Sequence, residues 1–138
     1  MEPITIPYHL LLPTIISCLS FFVIFRNRKK LFISSKKKPL WVTVTVLLIL
    51  YSFIVGGATY DHIYVQWNLN RYDLDGDGFF AGDEITKEQE AAMIRLTSDV
   101  GRNYSAFIGL IIMAVLAQPI YILVRLIVNT KTASYIKT

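Results

Sequence analysis

Three apolar stretches, Pro7 to Phe25, Leu40 to Tyr60 and Tyr104 to Val128, leave this chain few ways to fold. Each is near or above the roughly 20 helical residues that cross ~30 Å of hydrocarbon. Inside a bilayer no water is present to pair a backbone N–H or C=O, so a spanning segment must satisfy its own, which a helix does and a lone strand does not. With 54% of its 138 residues hydrophobic, the chain has too little polar sequence left for a separate soluble core. The expectation is an all-α fold: a three-span transmembrane helical protein.

The first stretch lacks the pattern of a signal peptide. Glu2 rather than a basic segment precedes it, and a basic run rather than a small-residue cleavage site follows, so it reads as a retained anchor. That basic run also orients the chain. Arg26, Arg28, Lys29, Lys30, Lys36, Lys37 and Lys38 crowd the link between the first two stretches, and such links stay cytoplasmic. The N-terminus and the segment after the second stretch then lie outside, Lys131 and Lys137 return to the cytoplasm, and Arg125 snorkels toward them. All ten acidic residues, Glu2 and nine between Asp61 and Asp99, fall on the side so assigned to the exterior. Four regions follow: residues 1–39 with the first span and basic link, 40–60 with the second span, 61–103 as an extracytoplasmic hairpin, and 104–138 with the third span and a short tail. The basic link calls for nothing beyond anionic lipid headgroups, and no nucleic acid is expected as a partner.

Chemistry concentrates in one place. Asp73 to Glu84 reads DLDGDGFFAGDE, with Asp at the first, third and fifth positions, Gly at the sixth and Glu at the twelfth. A hard cation takes six to eight oxygens at about 2.3–2.6 Å, so the chain holding it must wrap tightly. Asp73, Asp75 and Asp77 alternate so that short carboxylates converge, and Gly78 permits the sharp turn. Phe79 would offer its backbone carbonyl, and Glu84 would close the sphere with both oxygens. Five matched positions at fixed spacing outweigh the plainer reading of a solvated acidic turn.

This segment resembles an EF-hand. The likeness extends to Leu69 and Tyr72 before the loop, Phe80 at its eighth position and Ile85 after it, and covers about 30 of 138 residues, approximately 65–96. It implies calcium as the ion, held by Asp73, Asp75, Asp77, Phe79 and Glu84, between an entering and an exiting helix. Ala81 departs from the pattern by offering no side-chain oxygen at the ninth position, which leaves that ligand to water. Glu88 and Gln89 depart from it too, standing where the exiting helix usually begins its apolar stripe.

The hairpin around the loop carries nine acidic residues against Arg71, Lys87, Arg95 and Arg102, so it attracts cations. Tyr60, Tyr64 and Trp67 suit an interfacial aromatic belt. The absence of Gly and Pro from Ala58 to Tyr72 lets the second span run on as a helix for about 12 residues, ~18 Å. A second helix is expected to begin at Asp83 and Glu84, to carry Ile85, Ala92, Met93, Leu96 and Val100 on one side, and to stop or bend at Gly101. That apolar side needs cover, from the entering arm or from a partner. EF-hands usually pair, and this chain has one loop. Its mate is another copy or another protein, unless the membrane tethers alone hold the loop closed.

Within the spans, Gly56, Gly57 and Ala58, and Ala106, Gly109, Ala114 and Ala117, permit close helix approach or simply pack the bundle, and Gln118 and Pro119 suggest a kink or, more simply, a proline that a span tolerates for ordinary reasons. The middle of every span is free of ionisable groups, which argues against a proton relay or a charged-substrate path. Cys18, His9 and His62 form no nucleophile–base pair, so no enzyme is expected. Cys18 behaves as a small hydrophobe. His9 and His62 fall near one membrane face, either wet or as a two-histidine metal site. The function implied is a small integral membrane calcium-binding protein, an accessory or structural subunit. Its partners are the bilayer and other membrane subunits or further copies of itself. A calcium-regulated channel or transport component built from several copies is the competing reading.

Overall fold

The computed structural model describes residues 6–34 and 36–136. Glu2, Lys137 and the side chain of Lys131, used in the charge argument, lie outside what is described. Helices α1 (Tyr8–Arg26), α2 (Arg28–Leu31), α3 (Lys38–Asn70), α4 (Lys87–Thr97), α5 (Val100–Asn103) and α6 (Ser105–Ile136) make an all-helical chain with no strand among the described residues. Three helical segments, containing α1, α3 and α6, are long and apolar enough to cross a membrane. Pro39 sits in the first turn of α3, where its missing N–H has no helical partner to lose. From there α3 runs 33 residues without a break, about 50 Å, well beyond the ~30 Å of a hydrocarbon core. The expected continuation of the second span into an arm is therefore present. Helix α6 likewise runs through Pro119 to Ile136, past the Val128 limit read from the sequence.

Helix α3 is the axis of the bundle. Helices α1 and α6 both pack along it and scarcely meet each other. Both run antiparallel to it: Thr14 faces Thr59 and Ser17 faces Ser52 on one side, while Tyr51 meets Ala106 on the other. The basic link and the C-terminal half of α6 thus share one end of the bundle, and the acidic segment occupies the opposite end.

Burial in the bundle mixes apolar with polar side chains, Leu10 and Val55 being fully buried. Ser17, Thr43 and Thr59 are buried, whereas Leu12, Ile16, Phe22, Phe53, Phe107, Ile111 and Val115 are exposed. In water such a surface would drive aggregation; against lipid tails it is matched, and the hydroxyls do better inside, where they find partners.

The two faces of α3 are closed differently. Toward α1, Ser52 donates its hydroxyl proton to Ser17 Oγ at 3.0 Å, and Ser17 donates to the Thr14 carbonyl at 2.9 Å. The Thr14 and Thr59 hydroxyls lie 3.1 Å apart, so one bridges to the other while its mate keeps a bond to its own helix. Toward α6 the contact is steric. A Cβ added to Gly109 would stand 3.0 and 3.1 Å from Tyr51 ring carbons, so any larger residue would push that ring aside by a few tenths of an ångström, and the Tyr51 hydroxyl donates to the Ala106 carbonyl at 3.3 Å. The small residues of the second span do not act this way: a Cβ on Gly56 would meet nothing closer than 3.9 Å, and one on Gly57 nothing within 4 Å.

Candidate metal centre

Helix α3 ends at Asn70 and delivers the chain to the acidic loop. There Asp73, Asp75 and Glu84 each present a carboxylate oxygen, and the three lie within 4.8 Å of one another. Asp77 falls outside that group. Gly76 and Gly78 adopt φ of 77° and 84°, a left-handed backbone that folds the carboxylates inward and that side chains with a Cβ resist. Asp73 fixes the curl by accepting the Gly76 N–H at 2.7 Å and the Gly78 N–H at 3.2 Å. Asp75 and Asp77 each accept the N–H two residues on, at 3.1 and 2.7 Å. The ring of Phe79 is exposed, so what that residue would bring to an ion is its main-chain carbonyl.

Glu84 is the keystone. It is 8% exposed, and its Oε1 accepts the N–H of Leu74 at 2.6 Å and of Asp75 at 3.3 Å, while Oε2 accepts the N–H of Ala81 at 3.1 Å. One carboxylate thus ties the start of the loop to its end. The Ala81 and Leu74 N–H groups hold the Glu84 carboxyl below its ordinary value of 4.5, against opposing contributions from desolvation and the nearby Asp73. The donor set is oxygen only, which suits a hard cation and not zinc or copper. An ion here would compete with those N–H groups for the Glu84 oxygens.

The exiting helix starts later than the sequence predicts. Asp83 and Glu84 belong to a 3₁₀ turn, Gly82–Glu84, then Ile85 and Thr86 are extended, and α4 begins at Lys87. Thr86 is the reason: its hydroxyl accepts the Gln89 N–H at 3.1 Å, an N-cap with acidic residues in the turn that follows. The entering arm does cover α4, burying Gln89 and Ala92 while Val65 and Leu69 are buried on α3. Ile85 and Val100, expected on the covered side, are exposed at 53% and 66%. The break expected at Gly101 falls earlier, between Thr97 and Val100, because Asp99 caps α5 by accepting the Arg102 N–H at 2.8 Å.

A clamp that sequence reasoning missed fastens this hairpin to the bundle. The Arg102 side chain is 3% exposed and donates to Asp61 Oδ2 at 3.1 Å and to the carbonyls of Arg95 and Leu96 at 3.1 and 2.6 Å. Asp61 also receives Arg95 at 3.2 Å. Arg102 therefore caps the end of α4 and pairs with α3 at the same time. The available signal was position: Asp61 and Arg102 are the charged residues nearest the apolar stretches at this end, where a charge needs a partner. The structure also brings His9 and His62 together, ring centroids 6.1 Å apart and edge-on, but among the described residues no third ligating side chain converges with them as Asp73, Asp75 and Glu84 converge. Tyr60, Tyr64 and Trp67 stack along one face of α3 with centroids 6.3 and 6.0 Å apart, and the Arg71 guanidinium lies over Trp67. Comparison of the chain with family models, curated proteins and solved structures gives no match.

Proposed function

We propose that the chain is an integral membrane calcium-binding protein in which the ion orders the acidic hairpin, and that it serves as an accessory or structural subunit of a larger membrane assembly. The supporting observation is the convergence of Asp73, Asp75 and Glu84 in a loop whose backbone is already curled by glycines at positive φ. Those three carboxylates, with Asp77 and the Phe79 carbonyl, are the ligands of this reading. Calcium would bring two positive charges to a segment rich in carboxylates and so relieve their mutual repulsion. With the loop on the side away from the basic link, the ion is structural: extracellular modules of this kind work near 10⁻⁴–10⁻³ M, about the level at which calcium is abundant outside cells. Leu74, Phe79, Ile85 and Ile94, all more than half exposed around the loop and α4, are the surface a partner subunit would cover.

Calorimetry on the detergent-solubilised full chain tests the ion. Calcium is expected to bind with a dissociation constant of ~10⁻⁴–10⁻³ M, and Glu84→Gln to weaken it at least tenfold. A chain that takes up no calcium, or a Glu84→Gln variant that binds as well as the parent, overturns the metal reading. Copurification from native membranes tests the subunit: a larger complex that holds in calcium and loosens in chelator is expected, and a solitary protein would exclude the accessory role.

A further inference from the structure

The sequence holds no Asp or Glu from Pro3 to Tyr60 and none from Val100 to Thr138, so among the described side chains the basic end of the bundle carries eight cations without one carboxylate to answer them. Seven of the eight sit on the link, Lys36 among them. Arg125 does not. It lies on α6, eleven residues before the helix ends at Ile136, and with Lys36, Pro39, Tyr121 and Asn129 it lines a cleft of about 390 Å³ between the start of α3 and α6. Two cations far apart in sequence are thus brought to one concavity with no carboxylate in its lining, so an anion from outside the chain would relieve their repulsion. Tyr121 and Asn129 stand one turn before and one turn after Arg125, on the same helical face, and add a phenol O–H and an amide N–H₂ to the charges. Phosphate oxygens take this combination of donors well. The same stretch of α6 exposes Ile122, Leu123, Leu126 and Ile127, apolar surface at the height of the cleft on which acyl chains can lie.

From this juxtaposition we propose that the Lys36–Arg125 cleft is a binding site for an anionic phospholipid, its phosphate held between the two cations and its chains along α6. The site is remote from the acidic loop and does not depend on calcium. Native mass spectrometry of the full chain in detergent tests it, with dioleoyl phosphatidylglycerol as probe, dioleoyl phosphatidylcholine as the neutral control and glycerol 3-phosphate as the headgroup alone. Phosphatidylglycerol is expected to bind at least tenfold more tightly than phosphatidylcholine. Arg125→Gln and Lys36→Gln should each weaken it about fivefold, the size of effect one basic residue has at an anionic lipid surface. Lys30→Gln removes an equal charge from the link and should leave binding within twofold, and Arg125→Lys, which keeps the charge, within threefold. Equal binding of the two lipids overturns the proposal without any variant. A loss in Lys30→Gln as large as in Arg125→Gln reduces it to diffuse attraction, and displacement of the lipid by glycerol 3-phosphate at equal concentration reassigns the cleft to a soluble phosphate.

Discussion

Along α3 the chain passes from Thr43, Ser52 and Thr59, polar side chains turned in beside Val55 beneath an apolar surface, to Val65 and Leu69, turned in beneath α4 with its exposed Lys87, Glu88, Glu90 and Arg95. One helix thus changes what it buries, from hydroxyls mixed with apolar side chains to apolar side chains, within its 33 residues. The change comes near Asp61, where the first carboxylate after the span meets Arg102. Below it, contacts are short-range: hydroxyl pairs toward α1 and a glycine approach toward α6. Above it, little apolar area is available, and order rests on caps, the Arg102 clamp and the Glu84 carboxylate. What surrounds each part decides which kind of contact is scarce. Lipid supplies no hydrogen bonds, so polar contacts hold the spans; water supplies them freely, so the hairpin depends on arrangements that water cannot reproduce.

Substitutions can separate the two parts. The largest effect is expected from Arg102→Ala, which leaves the Arg95 and Leu96 carbonyls without their donor and Asp61 with Arg95 alone, at a cost of about 3 kcal/mol. Hydrogen exchange should then show the amides of α4 opening while those of α1 keep their protection. If α1 opens equally, the hairpin is not a separate unit and the contrast drawn here fails. Gly109→Val should come next, about 2 kcal/mol by overpacking against Tyr51. It should appear as a lower unfolding midpoint in detergent with calcium binding unchanged; altered calcium binding would mean that the α3–α6 contact reaches the loop. Acid should act on the hairpin alone. Because the Glu84 carboxyl is held below 4.5, its contribution is complete above that pH and is lost as pH falls through the lowered value. Exchange at the Leu74 and Ala81 amides, corrected for intrinsic rates, should therefore quicken as the pH falls below 4.5, with no matching change in α1. The smallest effect is that of Thr59→Val, which removes one bridging hydroxyl inside the bundle and should cost about 0.6 kcal/mol. A loss of several times that would make the α1–α3 seam the principal support of the spans.

Much of this was legible from sequence because it is local. The three apolar runs, the continuation of the second into an arm and the spacing of Asp73, Asp75 and Glu84 each follow from residues close together in the chain. What escaped depends on which surfaces meet. Thr86 took the start of α4 from Asp83, and Asp99 moved the break away from Gly101, since short polar side chains compete for helix ends and no apolar pattern records the winner. Among the small residues, Gly109 touches a neighbour closely and Gly57 touches none, a distinction that composition cannot make. Arg102 looked like one more surface charge until its carbonyl partners were placed around it.

Because a single unbroken rod carries both the second span and the stalk beneath the loop, α3 meets a change in membrane thickness either by tilting as a whole or by sinking along its axis. Where it sinks, a bilayer ~3 Å thicker would submerge about two more residues of the rod, and the acidic tip would ride that much closer to the headgroups. The height of the loop above the membrane is therefore set by the lipid as much as by the protein.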